Sequence, residues 1–308
     1  MRSFSHPNGI VTATNQLGFT LVELAIALFV IGLLLAGALI PLSTQMEVRS
    51  IADTRRVMDQ INEALIGFAQ ANGRLPCPAT RDVSTGIGAA GTEQITGTAC
   101  TSLIGVIPWS TLGVPETDAW GRRFTYRVAS VFSDDNSALT WYTVAPPSLA
   151  TQTGSGNCNP PTPTPSAPSS FALCTLGEIA VKTRSFDTAG ARGTGPLGSG
   201  LAAVFVSHGR NGYGGYQTNG VPVSGLVANT DEATNANTLG TNQGTPGGGP
   251  NNVLSYLYYS RTPTPYDAGC SDADVAANGI KFCEFDDIVY MIPAATLASR
   301  MVSAGRLP

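Results

Sequence analysis

Gly18-Phe19-Thr20-Leu21-Val22-Glu23-Leu24 opens an apolar run that reaches Leu42, and the reading of this stretch decides the fold. From Phe19 to Leu42 the only ionisable side chain is Glu23. A helix over these residues rises ~1.5 Å per residue and reaches ~36 Å, enough to cross a hydrocarbon core of ~30 Å. A carboxylate inside such a run is costly to bury and therefore marks function. Gly32 and Gly37 let a second helix approach closely, and Pro41 lacks a backbone donor and predicts a kink.

The helical pattern continues beyond the run. Ile51, Met58, Ile61, Leu65 and Phe68 share one face, while Asp53, Arg56, Gln60 and Glu63 occupy the other. Asn72-Gly73 predicts the stop, with Gly73 suited to a left-handed cap and Pro76 just beyond. A single helix from Phe19 to Asn72 would be ~80 Å long. Its first half reads as a membrane segment (19–42). Its second half (43–73) presents an apolar stripe to a globular head (74–308).

Gly-Phe-Thr-Leu-Val-Glu-Leu followed by about twenty apolar residues resembles the processing motif of type IV pilins and type II secretion pseudopilins. The resemblance implies cleavage by a prepilin peptidase between Gly18 and Phe19 and N-methylation of Phe19. It makes residues 1–18 a leader and Glu23 the carboxylate that meets a neighbouring subunit's N-terminus during assembly. It also implies an α+β, pilin-like fold: a long N-terminal transmembrane helix packed on an antiparallel β-sheet head with long loops. The implied partners are the peptidase, other pilin or pseudopilin subunits, an inner-membrane assembly platform and the membrane itself. The implied location is the inner membrane, single-pass, with the head in the periplasm or carried into a surface filament. The leader carries only Arg2 and His6, whereas Arg49, Arg55 and Arg56 lie beyond the apolar run, so a count of basic residues opposes this orientation.

Composition agrees with a loop-rich head. Charged residues make up 12% of the chain, while Gly (35) and Pro (21) together approach a fifth of it. Loss of the leader would take the net charge from −4 to −5, and the chain has two lysines, so there is no basic footprint for nucleic acid. All six cysteines follow the apolar run, which points to an oxidising compartment and three disulfides. Proximity in sequence pairs Cys77 with Cys100, Cys158 with Cys174, and Cys270 with Cys283.

In the head, residues 74–115 read as a connector with little periodicity. Asp118-x-Trp120-Gly121 followed by an aromatic strand resembles the segment that enters the sheet of the major pseudopilin. The alternation of Phe124, Tyr126 and Val128 predicts a strand over 122–131, and Leu139 to Val144 predicts a second after an Asp134-Asp135-Asn136-Ser137 turn. Pro-rich 146–170 and Gly/Asn/Thr-rich 217–252 read as loop excursions, the latter a mobile one at the surface. Further strands are expected at 178–183, 201–207 and 287–292, and a terminal helix at 294–304.

Ser207-His208-Gly209-Arg210-Asn211-Gly212-Tyr213-Gly214-Gly215, taken with Asp286-Asp287-Ile288, resembles a pseudopilin loop that binds calcium in some members. Ser207, Asn211, Asp286 and Asp287 offer the hard oxygen ligands calcium takes. Asn211 stands where that loop has an aspartate, and about seventy residues separate the two halves. The reading is a plain glycine-rich turn with no metal and no cofactor, and calcium is the alternative.

The sequence lacks a Gly-x-Ser-x-Gly elbow, a His-x-x-x-His pair, a phosphate-cradling Gly-x-x-x-x-Gly-Lys and a Cys-x-x-Cys. It has two histidines, one of them in the leader. We therefore read a non-enzymatic minor pilin or pseudopilin; the alternative is a pilin-like adhesin whose long loops contact a ligand at a filament surface or tip. Intact mass spectrometry of protein from native membranes is expected to show loss of residues 1–18 and gain of one methyl group. An unprocessed N-terminus in cells with active prepilin peptidase overturns this reading.

Overall fold

The computed structural model describes residues 20–97, 99–133, 170–171, 175–183, 196–223, 230–236, 256–265, 270 and 283–307. The chain forms two compact units, Met1–Arg49 and Ser50–Pro308. Helix α1 (Leu21–Asn72) supplies the described part of the first unit and the start of the second; its described side chains are those of 21–33 and 45–72.

In the first unit, Thr20 and Glu23 build a reciprocal cap. The Thr20 hydroxyl accepts from the Glu23 N–H at 3.3 Å, and a Glu23 carboxylate oxygen accepts from the Thr20 N–H at 3.4 Å. This Thr-x-x-Glu box satisfies two donors that the first helical turn leaves open. Beyond it Leu21, Val22, Leu24, Ile26, Leu28 and Phe29 are all exposed. Among the described residues no helix is long and apolar enough to cross a membrane. Within the expected span 19–42 the described side chains of α1 stop at Leu33, and 21–33 cover only ~20 Å against the ~30 Å required.

In the second unit, α1 buries Met58, Ile61, Leu65, Ile66 and Ala69. Each large side chain removed from water contributes about 1.5–3 kcal/mol before entropy is counted. The expected stripe members Ile51 and Phe68 are half-buried, Phe68 lying under the Arg74 guanidinium. The helix stops as the sequence predicts: Gly73, at φ 75°, donates to Ala69 O at 2.7 Å.

The connector is more structured than expected. It contains a small hairpin, β1 (Ile95–Thr96) and β2 (Ala99–Cys100), strand β3 (Ile104–Val106) and a short helix α2 (Trp109–Leu112). Cys77 and Cys100 are bonded at a Cα separation of 5.3 Å. Beside them Arg74 grips Glu93 through two hydrogen bonds, of 2.9 and 3.1 Å.

Strand β4 (Arg122–Arg123), strand β5 (Thr125–Val128) and a turn of helix α3 (Ser130–Ser133) replace the single strand expected over 122–131. The expected strand over 139–144, the turn at 134–137 and the excursion at 146–169 lie outside the described residues. Next come β6 (Ile179–Lys182), β7 (Pro196–Ser207), β8 (Tyr216–Gln217), helix α4 (Thr230–Ala236), β9 (Tyr256–Tyr259), β10 (Ile288–Pro293) and helix α5 (Ala294–Ser303). The twelve-residue β7 organises the main sheet, pairing antiparallel with β5, β6 and β10, while β3 joins through β5.

The sheet is mixed rather than wholly antiparallel, because β9 runs parallel to β6. Parallel neighbours need a long crossover, and the chain from 183 to 255 supplies it. That crossover also corrects the reading of 217–252 as a surface excursion. Its helix α4 buries Asp231, Glu232, Asn235 and Ala236; residues 224–229 and 237–252 lie outside the described residues.

β4 pairs antiparallel with β8 in a separate two-stranded sheet, and one buried arginine joins it to the connector. Arg123 donates to Glu116 Oε1 and Thr218 O at 2.9 Å and to Arg81 O at 2.8 Å, and its guanidinium lies 4.6 Å from the Trp109 ring centre. A guanidinium has five donors in one plane, so it can hold three chain segments at once. Arg123→Met is expected to destabilise the head by about 3–5 kcal/mol, because it strips Glu116 of its ion-pair partner and removes the donor to Arg81 O. Urea unfolding of the full chain in detergent measures this, and a loss below about 1 kcal/mol would show that the ion pair is dispensable.

Candidate metal centre

The site begins where β7 ends. Ser207 and His208, both fully buried, close the strand, and the glycine-rich turn after them folds back on itself: Gly212 N–H donates to His208 O at 2.8 Å. Gly209, at φ 54°, lies against Asp286, and a Cβ on it would overlap that residue's carboxyl. The turn therefore needs glycine for both its backbone angle and its close approach.

Three carboxylates meet beside the turn. One oxygen each from Glu232, Asp286 and Asp287 lies within 4.8 Å of the others. Glu232 comes from α4, and Asp286 and Asp287 from the segment entering β10. The Asn211 N–H donates to Asp286 Oδ2 at 2.7 Å and the Asn211 carboxamide to Glu232 Oε2 at 3.0 Å. The Asp286 N–H donates to Glu232 Oε1 at 2.8 Å, and Asn235 to Asp287 Oδ2 at 2.9 Å. Nearby, Arg261 sits 3.3 Å from Asp231, and its guanidinium also donates to Cys283 O, which belongs to the Cys270–Cys283 disulfide.

The residues fit a hard cation. Asp286 Oδ1 and Asp287 Oδ1 are buried and accept no hydrogen bond, so anionic lone pairs are left unspent inside the protein. His208 Nδ1, also buried without a hydrogen bond, lies 3.5 Å from Asp287 Oδ1. An all-oxygen donor set of three carboxylates suits calcium better than a soft metal. Of the residues expected from sequence, Asp286 and Asp287 enter the cluster, while Asn211 supports it by donating. Ser207 does not enter it: its hydroxyl turns away and donates to Asp118 Oδ2 at 2.6 Å. Glu232 was missed because no local pattern ties α4 to a turn that precedes it by about twenty residues.

Thr125 Oγ1 lies 2.7 Å from His208 Nε2, giving a hydroxyl, an imidazole and a carboxylate in series with Asp287. All three side chains are buried, and Thr125 sits mid-sheet on β5. The hydroxyl cannot meet a substrate there without opening the sheet, and the series reads as packing.

Burial pushes the Glu232 carboxyl up to about 8, reinforced by the charge of Asp287 and opposed by the Asp286 N–H. Burial likewise pushes Asp286 up to about 6, against the hydrogen bond from the Asn211 N–H. Both values lie above the ordinary carboxylate range of ~4, so the folded head holds protons that the unfolded chain releases. That stabilisation is complete below pH ~4 and is lost as pH rises through about 6 and then about 8. In metal-stripped buffer the melting temperature is expected to fall between about pH 5 and about pH 8.5, and Glu232→Gln to remove the upper part of the fall. A wild-type profile that stays flat over this window contradicts the assignment.

At the N-terminus, Gly18 and Phe19 lie outside the described residues, and Glu23 sits in the first turn of α1 within its capping box. Cys158 and Cys174 also lie outside the described residues. A family model, the prokaryotic N-terminal methylation motif, matches residues 13–39. No curated protein and no solved structure matches the chain. The matched segment contains Gly18, Phe19 and Glu23, so this chain carries at its N-terminus the methylation motif that is the signature of type IV pilins and pseudopilins.

Proposed function

We propose that the protein is a minor structural subunit of a type IV pilus or a type II secretion pseudopilus, processed by prepilin peptidase and assembled through its N-terminal helix. The observation that carries this reading is the methylation motif over 13–39, set at the start of an apolar run that continues as a helix. In this reading residues 19–42 anchor the unassembled subunit once through the inner membrane, with the head in the periplasm. The Cys77–Cys100 and Cys270–Cys283 bonds suit an oxidising compartment. The head's part is architectural, and calcium held by Glu232, Asp286 and Asp287 would brace the turn after β7 against the entry to β10.

Glu23 is assigned the assembly role. An exposed ring of Leu and Ile around one carboxylate associates without choosing a register, and a charged pair with a neighbour's N-terminal amine supplies the choice. Glu23→Gln keeps an oxygen for the Thr20 cap but removes the charge; Glu23→Ala removes both. Both variants are expected to be processed and inserted normally, and both to be recovered in sheared fibres or cross-linked heteromers at least about tenfold less than wild type. Recovery of Glu23→Gln at the wild-type level would show that the cap, and not the charge, matters.

A further inference from the structure

A cleft of about 350 Å³ opens at the edge of β3, and none of the three clustered carboxylates lines it. Residues 78–82 line it together with Ser102, Ile104, Gly105 and Tyr216 of β8. Its volume falls at the lower end of small-ligand sites, ~300–1,000 Å³. The Cys77–Cys100 bond ties the two main lining segments together, and Arg123 holds Arg81 O at 2.8 Å. A Cβ on Gly105 would strike Ala79 O, so residues 78–79 lie directly against β3. The strand edge beside the cleft is already spent. Val106 and Ala79 exchange both backbone hydrogen bonds at 2.9 Å, and the Ser102 hydroxyl takes the Ile104 N–H at 3.2 Å and donates to Ile104 O at 2.7 Å. An extended peptide finds no ladder to join there, so a ligand must be recognised by side chains.

Arg81 supplies the charge for that. Its guanidinium lies 5.5 Å from the Tyr216 ring centre, and among the described residues it forms no ion pair and no hydrogen bond. Opposite Ile104, on β5, stands Arg127, which is 2% exposed and pairs with no acid among the described residues. Its Nε donates to the Tyr258 hydroxyl at 3.2 Å. Burial pushes that hydroxyl up, and the charges of Arg127 and Arg81 both oppose the push, so the two cations act on one region of the head. Two uncompensated cations beside a protein wall attract an anion.

We infer that this cleft binds a saccharide unit carrying a single carboxylate, gripped by the Arg81 guanidinium. A guanidinium held over a phenol ring keeps the donors at its edge free, and a planar carboxylate matches them two at a time. Thr80 and Asp82 offer oxygens to the sugar's hydroxyls, and the Asp82 charge repels a second anionic group. One carboxylate among hydroxyls satisfies both residues, whereas an acidic peptide does not. Binding here needs neither filament assembly nor a metal.

The test uses full-length protein in detergent and ligand-observed NMR titration. The probes are the methyl glycosides of glucuronic, galacturonic and N-acetylneuraminic acid, each beside its methyl ester, with acetate and triglutamate as carboxylates without a sugar. Wild type is expected to bind at least one of the three acids saturably and its ester at least about tenfold more weakly. Bound sugar should slow hydrogen exchange in peptides covering 78–82 and 101–105. Arg81→Gln, which has no ion pair to lose, should melt with wild type and bind about tenfold to a hundredfold more weakly. Failure of wild type to bind any of the three acids overturns the inference, as does equal binding by the ester or by Arg81→Gln. Acetate or triglutamate binding as tightly as the sugar overturns the saccharide assignment. Binding without slower exchange in 78–82 and 101–105 puts the site elsewhere and overturns it too.

Discussion

Asp118 holds the head together from a position where a carboxylate is expensive. It is 6% exposed, and burial raises its carboxyl above the ordinary range, which its hydrogen bonds oppose. Its Oδ1 accepts the N–H groups of Trp120 and Arg122 at 2.9 Å, and its Oδ2 accepts the Ser207 hydroxyl. One residue on, the Ala119 N–H reaches Thr54 of α1. A buried acid with all its partners costs little, whereas the same acid with one partner removed leaves a naked charge. The Asp118 side chain therefore fixes the turn against the end of β7, and the neighbouring Ala119 N–H ties the same turn to the flank of α1. The direction in which Ser207 delivers the chain into the glycine-rich turn follows from this, and so does the placement of His208 and the acid cluster.

What was legible in the sequence was what local rules decide. Gly73 ends α1 because a left-handed cap is available there, and β7, β10 and α5 fall near their expected places because their apolar residues repeat with the right period. The Thr20–Glu23 box lies in the same stretch as the processing motif, as a Thr-x-x-Glu pattern at the start of an apolar helix. What was not legible depends on distant chain. β3 looks like loop because three residues show no period, and it becomes strand only because β5 offers it an edge. Likewise α4 reads as polar filler: its buried residues are Asp, Glu and Asn, which hydropathy assigns to solvent. Of the four residues weighed as calcium ligands, Asp286 and Asp287 lie in the acid cluster and Asn211 donates to it. Ser207 failed because a nearer buried acceptor, Asp118, captured its hydroxyl.

The head also shows how a chain with 12% charged residues spends them. Arg74, Arg123 and Arg261 each span separate segments, pairing with Glu93, Glu116 and Asp231 while lying over Phe68, Trp109 and Phe285. An arginine with an aromatic on its face and an acid at its edge satisfies both parts of its side chain. Such anchors do for irregular backbone what ladder hydrogen bonds do for a sheet, which suits a fold in which loops outnumber strands.

The capping box at Thr20 and Glu23 bears on how fast a subunit can change environment. A carboxylate that waits unpaired in an apolar medium must lose water first and find its partner second, and the gap between the two steps is the barrier. Here the acid already accepts from the Thr20 N–H and hydroxyl within its own first turn. At 3.3 and 3.4 Å these contacts are long, so they are easily given up. In the proposed assembly role, docking onto a neighbour would exchange a weak donor for a charged one. In the proposed reading the helix start would be a holding position, and handover from lipid to filament would proceed by substitution.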